Sequence, residues 1–184
     1  MAKLSICVFC GSRMGAKPEY EAVAIELGQA IGENSWRLVY GAGDVGLMGT
    51  VARTAQEAGA ETFGVIPEHL EKAEVGKRDL TEYVVTKDMH TRKTRMYEEG
   101  DVIVVLPGGA GSLDEFFEIL TWRQLGLHAK PIFLINTESY WDPLVALMDH
   151  VIDQKFASSG LKDLFTAVAS VQDAIKDIHK KKLT

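Results

Sequence analysis

The sequence has little of what several protein classes require. No apolar run approaches the roughly 20 residues of a membrane-spanning helix, and the first residues lack the layout of a secretory signal peptide. The net charge of −6 over 184 residues argues against a general nucleic-acid-binding protein, which usually carries a basic face. We therefore expect a cytoplasmic protein that contacts neither a membrane nor nucleic acid.

Cysteine is also scarce: the two cysteines are Cys7 and Cys10, spaced as C-x-x-C. This spacing can indicate a redox pair. However, side chains three residues apart on a strand point to opposite faces, so we favour two small buried residues of the first strand. We expect no metal ion, because two cysteines alone do not form a zinc site and the histidines show no ligand spacing.

Strand-like and helix-like patterns alternate along the whole chain. The predicted strands cover residues 4–10, 37–40, 62–66, 83–86, 101–106, 131–135 and 165–169. The predicted helices cover 18–32, 47–58, 88–99, 112–125, 141–155 and 171–180, with a short helix and loop over 68–80. This alternation predicts an α/β fold, a doubly wound parallel sheet of about seven strands with helices on both faces. We expect a single domain over residues 1–184.

The most informative stretch is a glycine-rich turn, Pro107-Gly108-Gly109-Ala110-Gly111-Ser112, which follows an apolar strand and opens a helix. Glycines let the backbone approach a ligand closely. The first amides of a helix have no intrahelical partner, and together with the helix dipole they form a seat for phosphate. Glu115 adds a carboxylate beside that seat. The stretch therefore predicts chemistry on a phosphorylated small molecule.

A second glycine-rich loop, Gly41-Ala42-Gly43-Asp44-Val45-Gly46, follows the second predicted strand and has the form G-x-G-x-x-G. A dinucleotide site is one interpretation, but the loop does not follow the first strand and lacks a good acidic partner about 20 residues later. A tight turn that needs positive φ angles is another. We prefer a third, in which Gly41, Gly43 and Gly46 converge with the first loop on one mononucleotide.

The predicted helix 88–99 begins with the cations Arg92, Lys93 and Arg95. Cations at a helix start oppose the dipole, which is easier to explain if an anion or a carboxylate faces them. A solvated basic patch that balances Glu98 and Glu99 explains the same residues equally well.

Ser112 and Glu115 also allow two interpretations. A serine at the N-cap with a glutamate three residues later forms a capping box, which is purely structural. Alternatively, Ser112 contacts phosphate and Glu115 faces the reacting carbon. The helix that follows is apolar over more than half its circumference, which predicts deep burial or contact with another subunit. Core packing is the default, and a homodimer face is the alternative.

Taken together, these motifs resemble the Lonely Guy (LOG) family, the cytokinin riboside 5′-monophosphate phosphoribohydrolases, whose relatives have often been mislabelled lysine decarboxylases. The likeness covers nearly the whole chain. It rests on Cys10-Gly11-Ser12, Tyr40-Gly41-Ala42-Gly43, Gly46-Leu47-Met48-Gly49, the run from Met89 to Met96, the run from Pro107 to Glu115, Thr121 to Gly126, and Lys130-Pro131.

The resemblance implies a Rossmann-like fold, a homodimer or larger assembly, and no redox cofactor. It implies hydrolysis of an N6-substituted adenosine 5′-monophosphate, or of AMP itself, to free base and ribose 5-phosphate. The family's catalytic roles fall on Arg92 and Glu115. Its contacts to substrate and phosphate fall on Ser12, Met89, Arg92, Lys93, Gly108, Gly109, Ala110, Gly111 and Ser112. The chain departs from the family at Ala42, where glycine is usual, and at Ser112, where threonine is usual.

The residue types fit this chemistry. Cleavage of an N-glycosidic bond builds positive charge on the ribose, and a carboxylate can stabilise that charge, orient the attacking water or attack the carbon itself. We assign Glu115 this function and leave the three variants open. Arg92 is a poor acid because its pKa exceeds about 12, so it holds phosphate or Glu115 and stabilises charge. The alternatives are a non-catalytic nucleotide-binding or carrier protein and a dinucleotide-dependent oxidoreductase.

Overall fold

Seven strands form one sheet in the computed structural model, which describes residues 3–71 and 76–182. The strands are β1 (Ser5–Phe9), β2 (Arg37–Tyr40), β3 (Glu61–Pro67), β4 (Glu82–Thr86), β5 (Val102–Val105), β6 (Ile132–Ile135) and β7 (Thr166–Val168). Their order is β4-β3-β2-β1-β5-β6-β7, and every neighbouring pair is parallel. The predicted doubly wound parallel sheet is confirmed.

Helices cover both faces of this sheet. They are α1 (Pro18–Glu33), α2 (Gly46–Glu57), α3 (Glu68–Glu71), α4 (Met89–Glu99), α5 (Ala110–Gln124), α6 (Asp142–Asp153) and α7 (Val171–Lys182). Helices α1, α2 and α7 share one apolar cluster with the sheet, and α4, α5 and α6 share the other. The five inner strands are largely buried, which explains their near-continuous apolar sequences, whereas the edge strands β4 and β7 are partly exposed.

The positions of the two cysteines agree with these two apolar clusters. Cys10 packs in the cluster with α1 and α2, whereas Cys7 packs in the cluster with α4 and α5. Both thiols are free and buried, and burial raises the pKa of each. The prediction of two small buried side chains on opposite faces is confirmed.

The order of the strands reverses between β1 and β5. Chain connections run from β1 through β4 in one direction, and from β5 through β7 in the other. In open parallel sheets, ligands bind outside the carboxyl ends of the strands at such a switch point. The segment after β1, which begins at Cys10, and the segment after β5, which begins at Leu106, therefore face the same crevice.

The structure corrects one boundary that matters for the site. Helix α5 begins at Ala110, with Gly109 as its N-cap, rather than at Ser112. Most other predicted elements agree within a few residues; of the predicted helix and loop 68–80, residues 72–75 lie outside the described part of the chain. Within residues 3–71 and 76–182, no helix combines the length and the apolar character needed to span a membrane.

Candidate active site

A cavity of about 480 Å³ lies at the switch point of the sheet. This volume is typical of small-molecule sites. Most of the residues predicted to bind substrate line it, namely Ser12, Met89, Arg92, Gly108, Gly109, Ala110, Gly111, Ser112 and Glu115. The structure thus brings the two predicted catalytic side chains and the first glycine-rich turn to one place.

The first glycine-rich turn combines a packed glycine with two open ones. A Cβ on Gly108 would collide with Ser112 Oγ and would lie 3.0 Å from the Gly11 nitrogen, so only glycine fits there. By contrast, a Cβ on Gly109 or Gly111 would meet no atom within 4 Å. The backbone at these two positions therefore lies open to the cavity, beside the first amides of α5, which lack intrahelical partners.

The start of α5 also excludes the capping-box interpretation. Ser112 is the third residue of the helix and not its N-cap, and the N-cap Gly109 makes no side-chain cap. Glu115 is consequently the sixth residue of α5, beyond the position from which a glutamate completes a capping box. The predicted structural explanation for this serine and glutamate pair is wrong. Both residues are buried and both line the cavity.

Glu115 is a buried acid, and burial disfavours its ionised form. Its side chain is 11% exposed. Burial raises the pKa of Glu115 to about 7; the guanidinium of Arg92 opposes this shift, and the nearby Asp114 carboxylate adds to it. Near neutral pH, the side chain is therefore distributed between the carboxylate and the acid. Such a poised group is suited to taking or giving a proton.

Arg92 is held by the backbone of the sheet rather than by an acid. Its Nε donates to the Val65 carbonyl oxygen at 3.0 Å, and its Nη2 donates to the Gly41 carbonyl oxygen at 3.0 Å. The remaining nitrogen, Nη1, lies 4.0 Å from Glu115 Oε1 and 3.8 Å from Met89 Sδ. Two carbonyl groups thus fix the plane of the guanidinium, and its third nitrogen is directed toward the cavity side of Glu115.

Lys93 and Arg95, the other predicted cations of α4, form ion pairs outside the cavity lining. Lys93 does not line the cavity; its ammonium is buried between Asp114, at 2.9 Å, and Glu118, at 3.0 Å. It connects α4 to α5 on either side of Glu115. Arg95 is exposed and pairs with Glu99 at 2.8 Å. The basic run therefore divides: Arg95 follows the surface-patch interpretation, whereas Arg92 faces the Glu115 carboxylate.

The second glycine-rich loop packs against protein. Gly41, Gly43 and Gly46 do not line the cavity. A Cβ on Gly41 would collide with Arg92 Nη2, and one on Gly46, where φ is +60°, would collide with the backbone of Ser12 and Arg13. The loop thus makes room for Arg92 and for the turn after β1. Direct contact between this loop and a nucleotide stays a prediction.

Sequence reasoning missed several residues of the cavity wall. The additional lining residues include Arg13, Met14, Tyr20, Leu47, Met48, Leu70 and Tyr140. Arg13 and Met14 directly follow the Cys10-Gly11-Ser12 motif, so proximity to that motif is a signal that could have indicated them. Tyr140 carries no local signal: it follows β6, more than thirty residues after the glycine-rich turn whose Gly108 carbonyl oxygen accepts its hydroxyl at 2.6 Å.

Comparison with known proteins gives consistent results. Residues 48–178 match a protein family described as "Possible lysine decarboxylase". The cytokinin riboside 5′-monophosphate phosphoribohydrolase LOG7 of Arabidopsis thaliana is 38% identical over 175 residues, which cover 95% of this chain and 81% of the relative. The probable cytokinin riboside 5′-monophosphate phosphoribohydrolase LOG4 of Oryza sativa subsp. japonica is 42% identical over 88% of this chain and 70% of the relative.

Solved structures share the fold at lower sequence identity. The molybdenum cofactor carrier protein of Chlamydomonas reinhardtii superimposes with a TM-score of 0.74 at 22% identity, with full coverage of both chains. The molybdenum cofactor binding protein of Rippkaea orientalis gives 0.72 at 23% identity, covering 100% of this chain and 99% of that one. At this level of identity, the likeness concerns the fold alone.

Proposed function

Because this chain belongs to the Lonely Guy family of cytokinin riboside 5′-monophosphate phosphoribohydrolases, we propose that its cavity at the carboxyl ends of β1 and β5 hydrolyses N6-substituted adenosine 5′-monophosphates. The protein is a hydrolase that cleaves the N-glycosidic bond of a nucleoside 5′-monophosphate. Its products are the free base and ribose 5-phosphate. The observation that carries the assignment of the site is the joint presence of an open helix N-terminus and a buried carboxylate in one cavity.

In this proposal, the first turn of α5 binds the 5′-phosphate. The open backbone at Gly109 and Gly111 allows close approach, and the amides of Ala110, Gly111 and Ser112 supply donors. Arg13 adds a guanidinium at the cavity wall. Phosphate binding contributes remote binding energy that positions the ribose. We therefore expect dephosphorylated nucleosides to react far more slowly than their 5′-monophosphates.

Glu115 then acts at the anomeric carbon. When the C1′–N bond breaks, its electron pair leaves with the base, and positive charge develops on C1′ and the ring oxygen. The ionised Glu115 stabilises this charge in a site from which most water is excluded. The same carboxylate can take the proton of the attacking water, or it can attack C1′ itself to form a glycosyl ester that a water molecule then hydrolyses. In both variants the departing base takes up a proton, and the products are the same.

Arg92 acts as a fixed cation. Its guanidinium cannot serve as an acid near neutral pH, and two backbone carbonyls prevent it from moving with the substrate. From 4.0 Å, it favours the ionised form of Glu115. It thereby partly offsets the cost of burying that charge, so that a useful fraction of the enzyme carries the carboxylate at pH 7.

Lysine decarboxylation does not fit the side chains that surround the site. Pyridoxal phosphate chemistry requires a lysine amine that can form a Schiff base. Lys93 is the lysine within the family motifs that lies nearest to Glu115, and both of its carboxylate partners hold it as an ammonium outside the cavity lining. We therefore assign the family's hydrolase activity and not the activity in its older description.

The apolar part of the cavity wall supports a substituted adenine. Met14, Met48 and Met89 lie in this wall with Leu47 and Leu70. Methionine side chains are flexible and polarisable, and they adapt to irregular apolar groups and aromatic rings. We infer that the base and its N6 substituent contact this part of the wall, while the phosphate lies at α5.

We also propose that the protein works as a cytoplasmic homodimer built from one domain. Helix α5 buries Phe116, Ile119 and Leu120 in the core, as the default interpretation predicted, but Leu125 at its end is 68% exposed. An exposed leucine next to the half-buried Trp122 is compatible with a subunit contact. Sedimentation of the purified protein tests this proposal.

The decisive experiment is chromatography after incubation of the protein with AMP or with isopentenyladenosine 5′-monophosphate. We expect release of the free base and of ribose 5-phosphate from one or both, and little release from adenosine. Comparable turnover of adenosine and AMP would contradict phosphate anchoring. Tight binding of both nucleotides without any released base would favour the non-catalytic alternative and contradict the proposed function.

A further inference from the structure

We propose that Tyr140 is a positioning residue for phosphate recognition: its hydroxyl holds the Gly108–Gly109 peptide in the orientation that presents an amide, and not a carbonyl oxygen, to the substrate anion. The proposal rests on the proposed function only because that function identifies the bound anion as the 5′-phosphate of a nucleotide. Its structural basis is the 2.6 Å hydrogen bond from Tyr140 Oη to the Gly108 carbonyl oxygen.

Each carbonyl oxygen of the turn before α5 accepts a hydrogen bond from the protein. The Pro107 oxygen accepts from the Gly11 nitrogen at 3.0 Å, and the Gly109 oxygen accepts from the Leu113 nitrogen at 3.1 Å. Between them, the Gly108 oxygen has a side-chain donor, the Tyr140 hydroxyl. With this bond, all three carbonyl oxygens have a donor within the protein.

The Gly108–Gly109 peptide needs such a restraint more than its neighbours do. A peptide unit is planar, and its C=O and N–H point in opposite directions, so fixing the Gly108 oxygen also fixes the Gly109 N–H. Glycine populates positive and negative φ about equally, and the Cβ position of Gly109 has no neighbour within 4 Å. Sterics alone therefore do not prevent this peptide from rotating and turning its oxygen toward the anion.

Tyr140 is itself rigidly placed. The two preceding residues, Glu138 and Ser139, are not glycines, yet their φ angles are +55° and +57°. Such strain persists only where the surroundings determine the conformation. Here Asn136 Oδ1 accepts from the Trp141 nitrogen at 2.7 Å, and Lys17 pairs with Glu138 at 2.9 Å.

The ring of Tyr140 is also enclosed. It packs edge-to-face against Tyr20 with ring centroids 5.5 Å apart, and against Trp141 with centroids 4.8 Å apart. A side chain fixed at both its backbone and its ring can hold a glycine peptide without losing much further freedom. The strained turn therefore has an explanation: it brings a phenol from β6 to the loop that follows β5.

The test is Tyr140→Phe, which removes one oxygen and keeps the ring. We expect the KM for a nucleoside 5′-monophosphate to rise about fivefold, the loss of one hydrogen bond, with kcat nearly unchanged. For the corresponding nucleoside, kcat/KM should stay the same, because it has no phosphate to recognise. Equal losses on nucleotide and nucleoside would mean that Tyr140 is merely structural and would overturn the proposal.

A matched control is Tyr97→Phe, which removes a phenolic oxygen from a tyrosine that does not line the cavity. The ring contacts of Tyr97 with Trp122 and Lys130 are available to phenylalanine. We expect its kinetic constants to match the wild type. If its KM rises as in Tyr140→Phe, the effect is not specific to the Gly108 carbonyl, and the proposal fails.

Two measurements keep this proposal separate from the proposed function. Calorimetry with ribose 5-phosphate and with ribose requires no turnover; Tyr140→Phe should weaken the first ligand about fivefold and leave the second unchanged. In the wild-type protein, the amide proton of Gly109 should shift downfield on titration with ribose 5-phosphate. An unshifted Gly109 amide overturns the proposal even if Tyr140→Phe does not fold.

Discussion

The two glycine-rich turns of this protein are similar in sequence, but one lines the cavity and the other packs against protein atoms. After β5, the Cβ positions of Gly109 and Gly111 are open, and the turn lines the cavity. After β2, the position of Gly41 is filled by the guanidinium of Arg92, and that of Gly46 by the backbone after β1. The first turn lines the cavity, whereas the second leaves space for a cationic side chain of the protein itself.

A glycine motif therefore indicates that some group approaches the backbone closely, but not which group. Both turns join a parallel strand to a helix, and both have small residues for steric reasons. The distinction arises from partners that are remote in the sequence: α4 supplies Arg92 to the second turn, while the first turn faces the cavity.

Glu115 lies in α5, the helix that follows the first glycine-rich turn, and Glu115→Gln removes its charge from the cavity. We expect kcat to fall about 10³-fold, since a fixed carboxylate at the reacting carbon is lost. Turnover of isopentenyladenosine 5′-monophosphate, followed by chromatography, measures it. Activity within tenfold of the wild type would remove Glu115 from the mechanism.

The stability of Glu115→Gln provides a control for its kinetics. The pKa of Glu115 is raised to about 7 in the fold, so the folded state prefers the acid. The contribution of this side chain to stability is full below its unfolded pKa and declines as the pH rises through 7. Glutamine avoids that loss, so we expect Glu115→Gln to be more stable than the wild type at pH 8, by up to about 3 kcal/mol.

Gly41→Ala tests whether the second turn serves Arg92. The added methyl group would collide with Arg92 Nη2 and displace the guanidinium from its carbonyl acceptors. We expect kcat/KM to fall about 100-fold, because a small misplacement of a catalytic group is costly, and the free energy of unfolding to fall by about 1–3 kcal/mol. Wild-type kinetics would show that the second turn does not position Arg92.

The dependence on pH distinguishes Glu115, the titratable group in the helix after the first turn, from Arg92, the permanent cation held by the second turn. In the proposed mechanism the carboxylate of Glu115 is the active form, and its fraction increases as the pH rises through a pKa of about 7. We therefore expect kcat/KM to be about tenfold higher at pH 8 than at pH 6. Below pH 6, protonation of the substrate phosphate adds to the loss. A flat profile between pH 6 and pH 8 contradicts this ionisation.

Gly109→Ala is the counterpart of Gly41→Ala in the first turn. The methyl group meets no protein atom within 4 Å, so we expect the free energy of unfolding to fall by no more than about 1 kcal/mol, the cost of alanine in place of glycine at an N-cap. In the proposed complex the methyl group lies where the phosphate approaches, so the KM for the nucleotide should rise about tenfold, the loss of one hydrogen bond to a charged group. A stability loss larger than that of Gly41→Ala, with an unchanged KM, would reverse the assigned functions of the two turns.

Ala42→Gly should have the smallest effect. Ala42 has φ of +58° and is fully buried. Glycine relieves the left-handed strain but loses a buried methyl group and gains chain entropy when unfolded, so we expect the free energy of unfolding to change by less than about 1 kcal/mol. The KM should not change, because Ala42 does not line the cavity. A lowered KM would instead support direct nucleotide contact by the second turn.

Local patterns in the sequence were sufficient for the elements of the fold. The five inner strands are largely buried and consist of apolar runs, and the alternation with helices implies parallel pairing. The start of α5 was misplaced because Ser112 is a favourable N-cap residue. In the protein, Gly109 takes that position, and the helix gains one more half-turn of small residues that line the cavity.

Local patterns were insufficient for the site, because its geometry depends on contacts between distant segments. The motifs indicated Arg92 and Glu115, but not that Val65 and Gly41 carbonyls hold the guanidinium. Nothing near Lys93 indicates that it pairs with Asp114 and Glu118 instead of a phosphate. The position of Tyr140 depends on the packing of β6 beside β5, which no short motif encodes.

The switch point of the sheet divides the cavity wall by origin. Met14, Met48 and Met89 come from the β1–β4 half of the chain, whereas Gly109, Glu115 and Tyr140 come from the half that begins with β5. Arg92 also comes from the first half, and its Nη1 lies 4.0 Å from Glu115 Oε1 of the second half. Lys93 of the first half pairs with Asp114 and Glu118 of the second. The apolar wall can therefore diverge by substitutions in the first half, but a chimaera that exchanges one half alone would have to preserve these charge pairs across the junction.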